Sequence, residues 1–211
     1  KSITTGKGGM VLTAEAGLAE KMRRLRSHGA AVSEVKRHQN HGFLMPEYNE
    51  LGFNYRMTDI QGAVGLAQME KFDYILEKRR EKAARYDGML SERCPFLKTP
   101  HVPDGYYHTY QSYVTMVDYA ALGLPGVAEG HAFRNRLMGY LEEHGVSTRQ
   151  GTHAVHMLGY YRDKYGYRPE SLPGAYACDQ LSVTLPLYVE LSADDQEYVV
   201  EQLEKGVQAV R

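Results

Sequence analysis

Apolar residues fall at helical spacing along much of this chain and alternate, or run together, in a few short stretches between. Leu18, Met22 and Leu25 share one helical face. The helix they predict ends near Ser27-His28-Gly29, where glycine takes the left-handed cap. Ahead of it, Met10-Val11-Leu12-Thr13 follows a glycine-rich turn and reads as a short buried strand. Residues 30–53 are polar and carry glycine and proline, which predicts a long loop of the kind that is usually functional or mobile. Thr58-Asp59-Ile60-Gln61 has the capping-box pattern for a helix start. That helix carries Ile60, Val64 and Ala67, then Phe72, Ile75 and Leu76, and runs through the charged stretch 77–85 to about Leu90, with a break near Lys71. At about 1.5 Å per residue the element spans roughly 45 Å, enough to join two domains. Gly62, Ala63, Gly65 and Ala67 leave one side nearly bare, so another backbone, from this subunit or a partner, can come close.

Cys94-Pro95 and residues 100–105 break the helical pattern. Residues 108–117 alternate and are rich in Tyr, Thr and Val, which predicts a strand. Phe133, Leu137, Tyr140 and Leu141 mark a helix that stops at Gly145, followed by a short strand over 146–148. Residues 149–172 read as a loop dense in His, Tyr and Gly. A short helix over about 175–181 leads into a strand over 182–185, which Pro186 ends. Ser192 to Asp195 caps a last helix whose stripe is Val199, Leu203, Val207 and Val210. The order β-α-β-loop-α-β-α predicts a small α/β layer domain of three strands with helices on one face.

Composition narrows the class. Hydrophobic residues are 43% and charged residues 24% of 211, the balance of a globular domain with a real core. The net charge of −1 offers no basic field for a nucleic-acid backbone, and Lys21, Arg23, Arg24 and Arg26 read as a solvated helix face. Cys94 and Cys178 stand in unlike contexts without CxxC spacing, so a reducing, cytoplasmic setting is expected. No apolar run reaches the roughly 20 residues of a membrane helix, so no membrane partner is expected. The chain opens on Lys1 directly before a strand-like stretch, and we expect further residues upstream.

Two constellations carry chemistry. Lys1 precedes small hydroxyl residues (Ser2, Thr4, Thr5) and then Gly6-Lys7-Gly8-Gly9. A lysine amine condenses with an aldehyde, and glycines let backbone approach a phosphate. A tight turn and a surface lysine are the alternatives. The second is Gly52-Phe53-Asn54-Tyr55-Arg56-Met57 just before a helix N-terminus, where anions are favoured. Asn54 can donate to a phosphate, and Arg56 can fork onto a phosphate or carboxylate. A cap beside a surface arginine is the plainer reading.

Lys-Ser-Ile-Thr-Thr-Gly-x-Gly-Gly-Met, followed some fifty residues later by Gly-Phe-Asn-Tyr-Arg-Met-Thr-Asp-Ile-Gln, resembles the DegT–StrS family of nucleotide-sugar aminotransferases. Leu66-Ala67-Gln68-Met69-Glu70-Lys71 and the run from Arg79-Arg80 to Tyr86 resemble its linker helix, Tyr110 to Val114 its small-domain strand, and Leu185-Pro186-Leu187-Tyr188 its C-terminal stretch. The resemblance covers nearly the whole chain. It implies an α/β architecture, the C-terminal portion of the PLP-transferase fold type I (aspartate-aminotransferase-like): residues 1–75 as the C-terminal part of the PLP-binding large domain, and residues 76–211 as the linker helix and small α/β domain. It implies pyridoxal 5'-phosphate (PLP) as cofactor, Lys1 as the lysine that binds it, and Asn54 as the residue that crosses a homodimer interface to the neighbour's PLP phosphate. Arg56 and Tyr55 would lie near the same shared site. The implied reaction moves an amino group, usually from glutamate, to a keto group on a nucleotide-linked deoxysugar.

Three departures stand out. The family's upstream half is not in this sequence, so the chain alone is expected to bind PLP poorly and catalyse nothing. Lys7 stands where the family usually has an acidic residue. The His-Tyr-x-Pro-x-His loop of many members is here Thr148-Arg149-Gln150-Gly151-Thr152-His153-Ala154-Val155-His156, which leaves the sugar open and makes Arg149, His153 and His156, together with Tyr55, the candidate substrate residues. His153 and His156 also have metal-ligand spacing, but no third ligand follows at a clear interval, and no metal is expected. Tyr160, Tyr161, Tyr165 and Tyr167 either stack on a sugar or nucleotide or simply pack the loop. A non-catalytic dimerising or binding fragment is the reading from another class. The family's dehydratase branch replaces the lysine with histidine, and Lys1 argues against it.

Overall fold

The computed structural model describes residues 1–31 and 47–211. Most of the loop expected over residues 30–53 lies outside them. The described residues fall into two units, residues 3–71 and residues 72–211, with Lys1 and Ser2 grouped with the second.

In residues 3–71 the helices form where their local signals say. Helix α1 is Ala16–Leu25, and α2 is Asp59–Met69. Thr58 caps α2 through a complete capping box: its hydroxyl accepts from the Gln61 N–H, and the Gln61 side chain returns to the Thr58 N–H. Past α1, residues 27–31 pair with residues 47–55 through bridges Ser27–Asn54 and Ala30–Tyr48. The strand expected over residues 10–13 is absent. That segment is exposed, with Leu12 at 88%, and it meets no ladder partner among the described residues. An apolar run becomes a strand only when another backbone satisfies its N–H and C=O groups.

In residues 72–211, α3 (Phe72–Arg93) follows a turn at Glu70 and Lys71, the break that the pattern indicated. Three strands, β1 (Leu97–Lys98), β2 (Tyr113–Val117) and β3 (Ser182–Leu185), form an antiparallel sheet in the order β1-β2-β3. Helix α4 is Val127–Glu143, α5 Gly159–Tyr165, α6 Pro173–Leu181 and α7 Ala193–Ala209. Short 3-10 turns lie at Val155–Met157 and Pro169–Ser171. Residues 149–172 are therefore not a plain loop.

The sheet differs from expectation in membership and in cover. Residues 108–112 stay out of β2 because Tyr110 turns the chain with φ 44°. Residues 146–148 form no strand, and a single bridge, Arg149–Thr184, stands in its place. β1 supplies the third strand instead. Tyr113 and Met116 point to opposite faces by the period-2 rule. Tyr113 meets Tyr86 of α3 with ring centres 5.1 Å apart, while the Met116 sulfur lies 4.0 Å from Cys178 of α6. Helices thus cover both faces rather than one.

The core is continuous across α3, the sheet, α4 and α7, with Tyr86, Leu90, Tyr113, Phe133, Leu137, Val183 and Leu203 essentially sealed from solvent. Helices α4 and α7 touch at Gly206, where an added Cβ would sit 2.8 Å from a Leu137 methyl and 2.9 Å from the Tyr140 ring. Two buried arginines tie up loose carbonyls. Arg79 donates to the Tyr110 and Gln111 carbonyls, and Arg134 to those of Asp179 and Ser182. Burial lowers both guanidinium pKa values, yet arginine stays charged, and these carbonyls offset its desolvation. Arg93 of α3 clamps α7 through Glu204, at 2.6 Å, and Glu197. Among the described residues no helix is long and apolar enough to cross a membrane.

Candidate active site

The hydroxyl-glycine segment lies along α2. Thr4 N–H donates to Gln68 Oε1 at 3.2 Å, and Gln61 Nε2 donates to the Lys7 carbonyl at 3.1 Å. Within the segment, Thr5 Oγ1 donates to the same Lys7 carbonyl, and Gly6 N–H donates to Thr4 Oγ1. Gly6 has φ +80°, and a Cβ on Gly8 would fall 2.5 Å from Thr5 Oγ1. The bare side of α2 is used from within the same unit: a Cβ on Gly65 would lie 3.1 Å from the Thr5 methyl. Lys7 takes part through its carbonyl, so this loop does not depend on the departure from the family's acidic residue. Lys1 is exposed at the head of the segment.

Asn54, Tyr55 and Arg56 are brought together on one extended stretch that leads into α2. Its path is fixed by backbone bonds from Phe53 N–H to Leu25 O, Tyr55 N–H to Arg26 O and His28 N–H to Phe53 O. Contact between the two stretches is close enough to demand glycine twice. A Cβ on Gly29 would lie 1.9 Å from the Glu50 carbonyl, and one on Gly52 would lie 2.1 Å from Gly29 N. Gly29 also has φ +79°, and His28 beside it has φ 63°. Arg56 Nε donates to Asn54 Oδ1 at 3.1 Å, which turns the amide's Nδ2 donors away from Arg56. Arg56 Nη2 lies 3.3 Å from His28 Nε2, a hydrogen bond when that nitrogen is unprotonated. Phe53 and Tyr55 stack with ring centres 5.0 Å apart. An open groove of about 1030 Å³ is lined by Gly8, Met10, Met22, Phe53, Arg56 and neighbours. His28 escaped sequence reading, where it was only part of a helix stop.

Arg149, His153 and His156 lie in the other unit, on residues 149–156. Arg149 pairs with Thr184 through backbone, and its Nη1 donates to the Thr148 carbonyl at 2.8 Å. His153 is exposed, its Nδ1 3.8 Å from Asp179 Oδ1. His156 is turned inward at 5% exposure, and neither ring nitrogen has a hydrogen-bond partner among the described residues. The Tyr167 ring meets it edge-on at 6.1 Å. Tyr160, Tyr161, Tyr165 and Tyr167 form a chain of ring contacts, with Lys164 Nζ over the Tyr160 and Tyr165 rings. Asp179 is the residue that sequence reading missed. It sits on α6 yet accepts from Gln150 Nε2 and Ala154 N–H. Among the described residues no group of three or more His, Cys, Asp and Glu is placed to hold a metal ion.

A glycine loop on a capped helix and an amide–guanidinium pair before the same helix are joined in sequence to a small α/β unit, and the class of this α/β chain follows from its relatives. The family model for DegT/DnrJ/EryC1/StrS aminotransferases matches residues 1–204, and the chain belongs to that family. A relative from Bacillus subtilis (strain 168), the spore coat polysaccharide biosynthesis protein SpsC, is 32% identical over 202 residues, which is 95% of this chain and 50% of the relative. Among solved structures, the aminotransferase TlmJ of Streptoalloteichus hindustanus is 27% identical with a TM-score of 0.79, covering 99% of this chain and 50% of that one. The Helicobacter pylori aminotransferase PseC, which takes part in pseudoaminic acid biosynthesis, shares the fold with a TM-score of 0.83 at 22% identity over 99% of this chain and 51% of its own. The chain thus has the α/β architecture of PLP-type aminotransferases and spans about half the length of the relatives it matches.

Proposed function

We propose that this chain is part of a PLP-dependent aminotransferase that passes an amino group from an amino acid, glutamate in the first instance, to a keto group of a nucleotide-linked deoxysugar for polysaccharide or glycan synthesis. The observation that carries the reading is the family match over residues 1–204, a span that takes in both motifs. Each donor by its chemistry suits a phosphorylated aldehyde: a primary amine at Lys1, an exposed amide at Asn54 whose Nδ2 is turned away from Arg56, and a guanidinium at Arg56 before a helix N-terminus. PLP, when bound, supplies the carbonyl that accepts the amino group and the electron sink that makes the neighbouring C–H acidic. Lys1 Nζ holds the aldehyde end and serves as the proton carrier. Asn54 and Arg56 bind phosphate in a site shared across a homodimer, with Tyr55 beside them. Arg149 and His153 contact the sugar nucleotide, and His156, expected beside them from the sequence, is turned inward and stands beneath the loop. Residues 1–75 serve as part of the cofactor-binding domain and residues 76–211 as linker helix and small domain, in the cytoplasm. The chain on its own is inactive in this reading, in keeping with the exposure of residues 10–12 and of α2.

The test is a polypeptide of the relatives' full length containing this chain, mixed with PLP. A visible absorption band of lysine-bound cofactor is expected, lost in Lys1→Ala, together with amino transfer from glutamate to a nucleotide-linked keto sugar. A full-length protein without that band, or with a band that survives Lys1→Ala, overturns the reading. A band accompanied by sugar dehydration instead of transfer moves the protein to the dehydratase branch.

A further inference from the structure

Residues 149–157 have little core to hold them. Only Ala154 and His156 of that stretch are buried, and neither ring nitrogen of His156 has a hydrogen-bond partner among the described residues. The loop's path is set by polar bonds instead. Arg149 exchanges backbone bonds with Thr184, at 3.3 and 2.6 Å, and Gly151 N–H donates to Ser182 Oγ at 3.0 Å. Gly151 lies flush on the sheet, where a Cβ would be 2.3 Å from a Val114 methyl. Beyond that point one carboxylate oxygen takes over. Asp179 Oδ1 accepts from Gln150 Nε2 at 2.8 Å and from Ala154 N–H at 2.9 Å, on both sides of the turn that carries His153. Asp179 is itself fixed from behind, because buried Arg134 on α4 donates to its carbonyl at 3.0 Å. The connection runs from α4 through the end of α6 to the loop, with a charged acceptor at the junction.

We infer that Asp179 is the positioning residue of the 149–157 loop, and that its carboxylate, through Gln150 and Ala154, sets the turn from which exposed His153, beside Arg149, donates to the phosphates of a nucleotide-sugar substrate; the substrate half of this rests on the function proposed above. A carboxylate that bonds two points of a loop with little buried apolar surface governs the loop's order more than the fold's stability. Asp179→Asn keeps an oxygen acceptor at the same place, and Asp179→Ala removes it.

Two measurements decide it. In the 211-residue chain, amide hydrogen exchange over residues 150–157 is expected to rise by about tenfold or more in Asp179→Ala and to stay within about threefold of the parent in Asp179→Asn, with β2, β3 and α7 unchanged. Equal exchange in all three proteins overturns the inference. So does a loss of protection throughout the sheet in either variant, which makes Asp179 a stability residue. In the full-length enzyme, Asp179→Ala is expected to raise KM for the sugar nucleotide about tenfold while the half-reaction with glutamate keeps its rate, with Asp179→Asn restoring most of the loss. An unchanged KM beside a loosened loop overturns the substrate assignment. A full-length parent that transfers no amino group refutes the proposed function, and the exchange measurement still decides the positioning role.

Discussion

Residues 3–71 and residues 72–211 are built from similar helices, yet they differ in what those helices cover. The second unit seals more than twenty apolar side chains into one cluster. In the first, Ala30 is the one buried apolar residue among the described residues, and neither α1 nor α2 buries any. Ile60 is 80% exposed and Leu66 67%. The first unit keeps its shape through devices that act over short distances: the capping box at Thr58, the glycine pair at 29 and 52, and the two glutamines that hold the loop. Such devices specify geometry, whereas the burial in the other unit specifies stability.

The largest effect expected is in the core. Leu203→Ala should cost about 2–5 kcal/mol in denaturant unfolding of the chain, against less than about 0.5 kcal/mol for the same change at exposed Leu66. Similar losses at the two positions would erase the contrast. Next is Gly52→Ala, whose Cβ has no room against Gly29 N. It should cost about 1–3 kcal/mol, read as faster amide exchange at His28 and Tyr55 with the 72–211 sheet unaffected. Thr58→Ala removes the cap of α2 and should cost about 1 kcal/mol, measured by exchange in the first turn of that helix.

The smallest effect concerns pH. The hydrogen bond from Arg93 holds the Glu204 carboxyl below its usual range. A depressed folded-state pKa contributes stability above the unfolded value, about 4.5, and that contribution is lost as pH falls through the folded value. Glu204 is 38% exposed, so solvent screening keeps the contribution under about 1 kcal/mol. Thermal melts from pH 6 to 3 should show a steeper fall for the parent than for Glu204→Gln, and parallel falls would remove the pair from the account.

Signals that act within a few residues were legible in the sequence. The boxes at Thr58 and Ser192, the break at Lys71 and the end of β3 before Pro186 all stand where the residues put them. What escaped depends on distant backbone. Leu97-Lys98 has too little pattern to announce a strand and becomes one because β2 lies beside it. Residues 10–13 have the pattern and lack a neighbour among the described residues. Tyr110 carries a positive φ that its side chain gives no warning of. The grouping of Asn54, Tyr55 and Arg56 was legible because the motif is contiguous. His28 and Asp179 were not, since each reaches its partners only after the chain has folded back.

Gln61 shows how much one amide can settle. Its oxygen faces Thr58 to close the helix cap, and its nitrogen faces the Lys7 carbonyl. A glutamate would cap the helix as well but would set a carboxylate against that carbonyl. Exchange of a single atom type, nitrogen for oxygen, therefore unhooks the glycine loop while leaving the helix start intact, and it separates two features that the sequence places more than fifty residues apart.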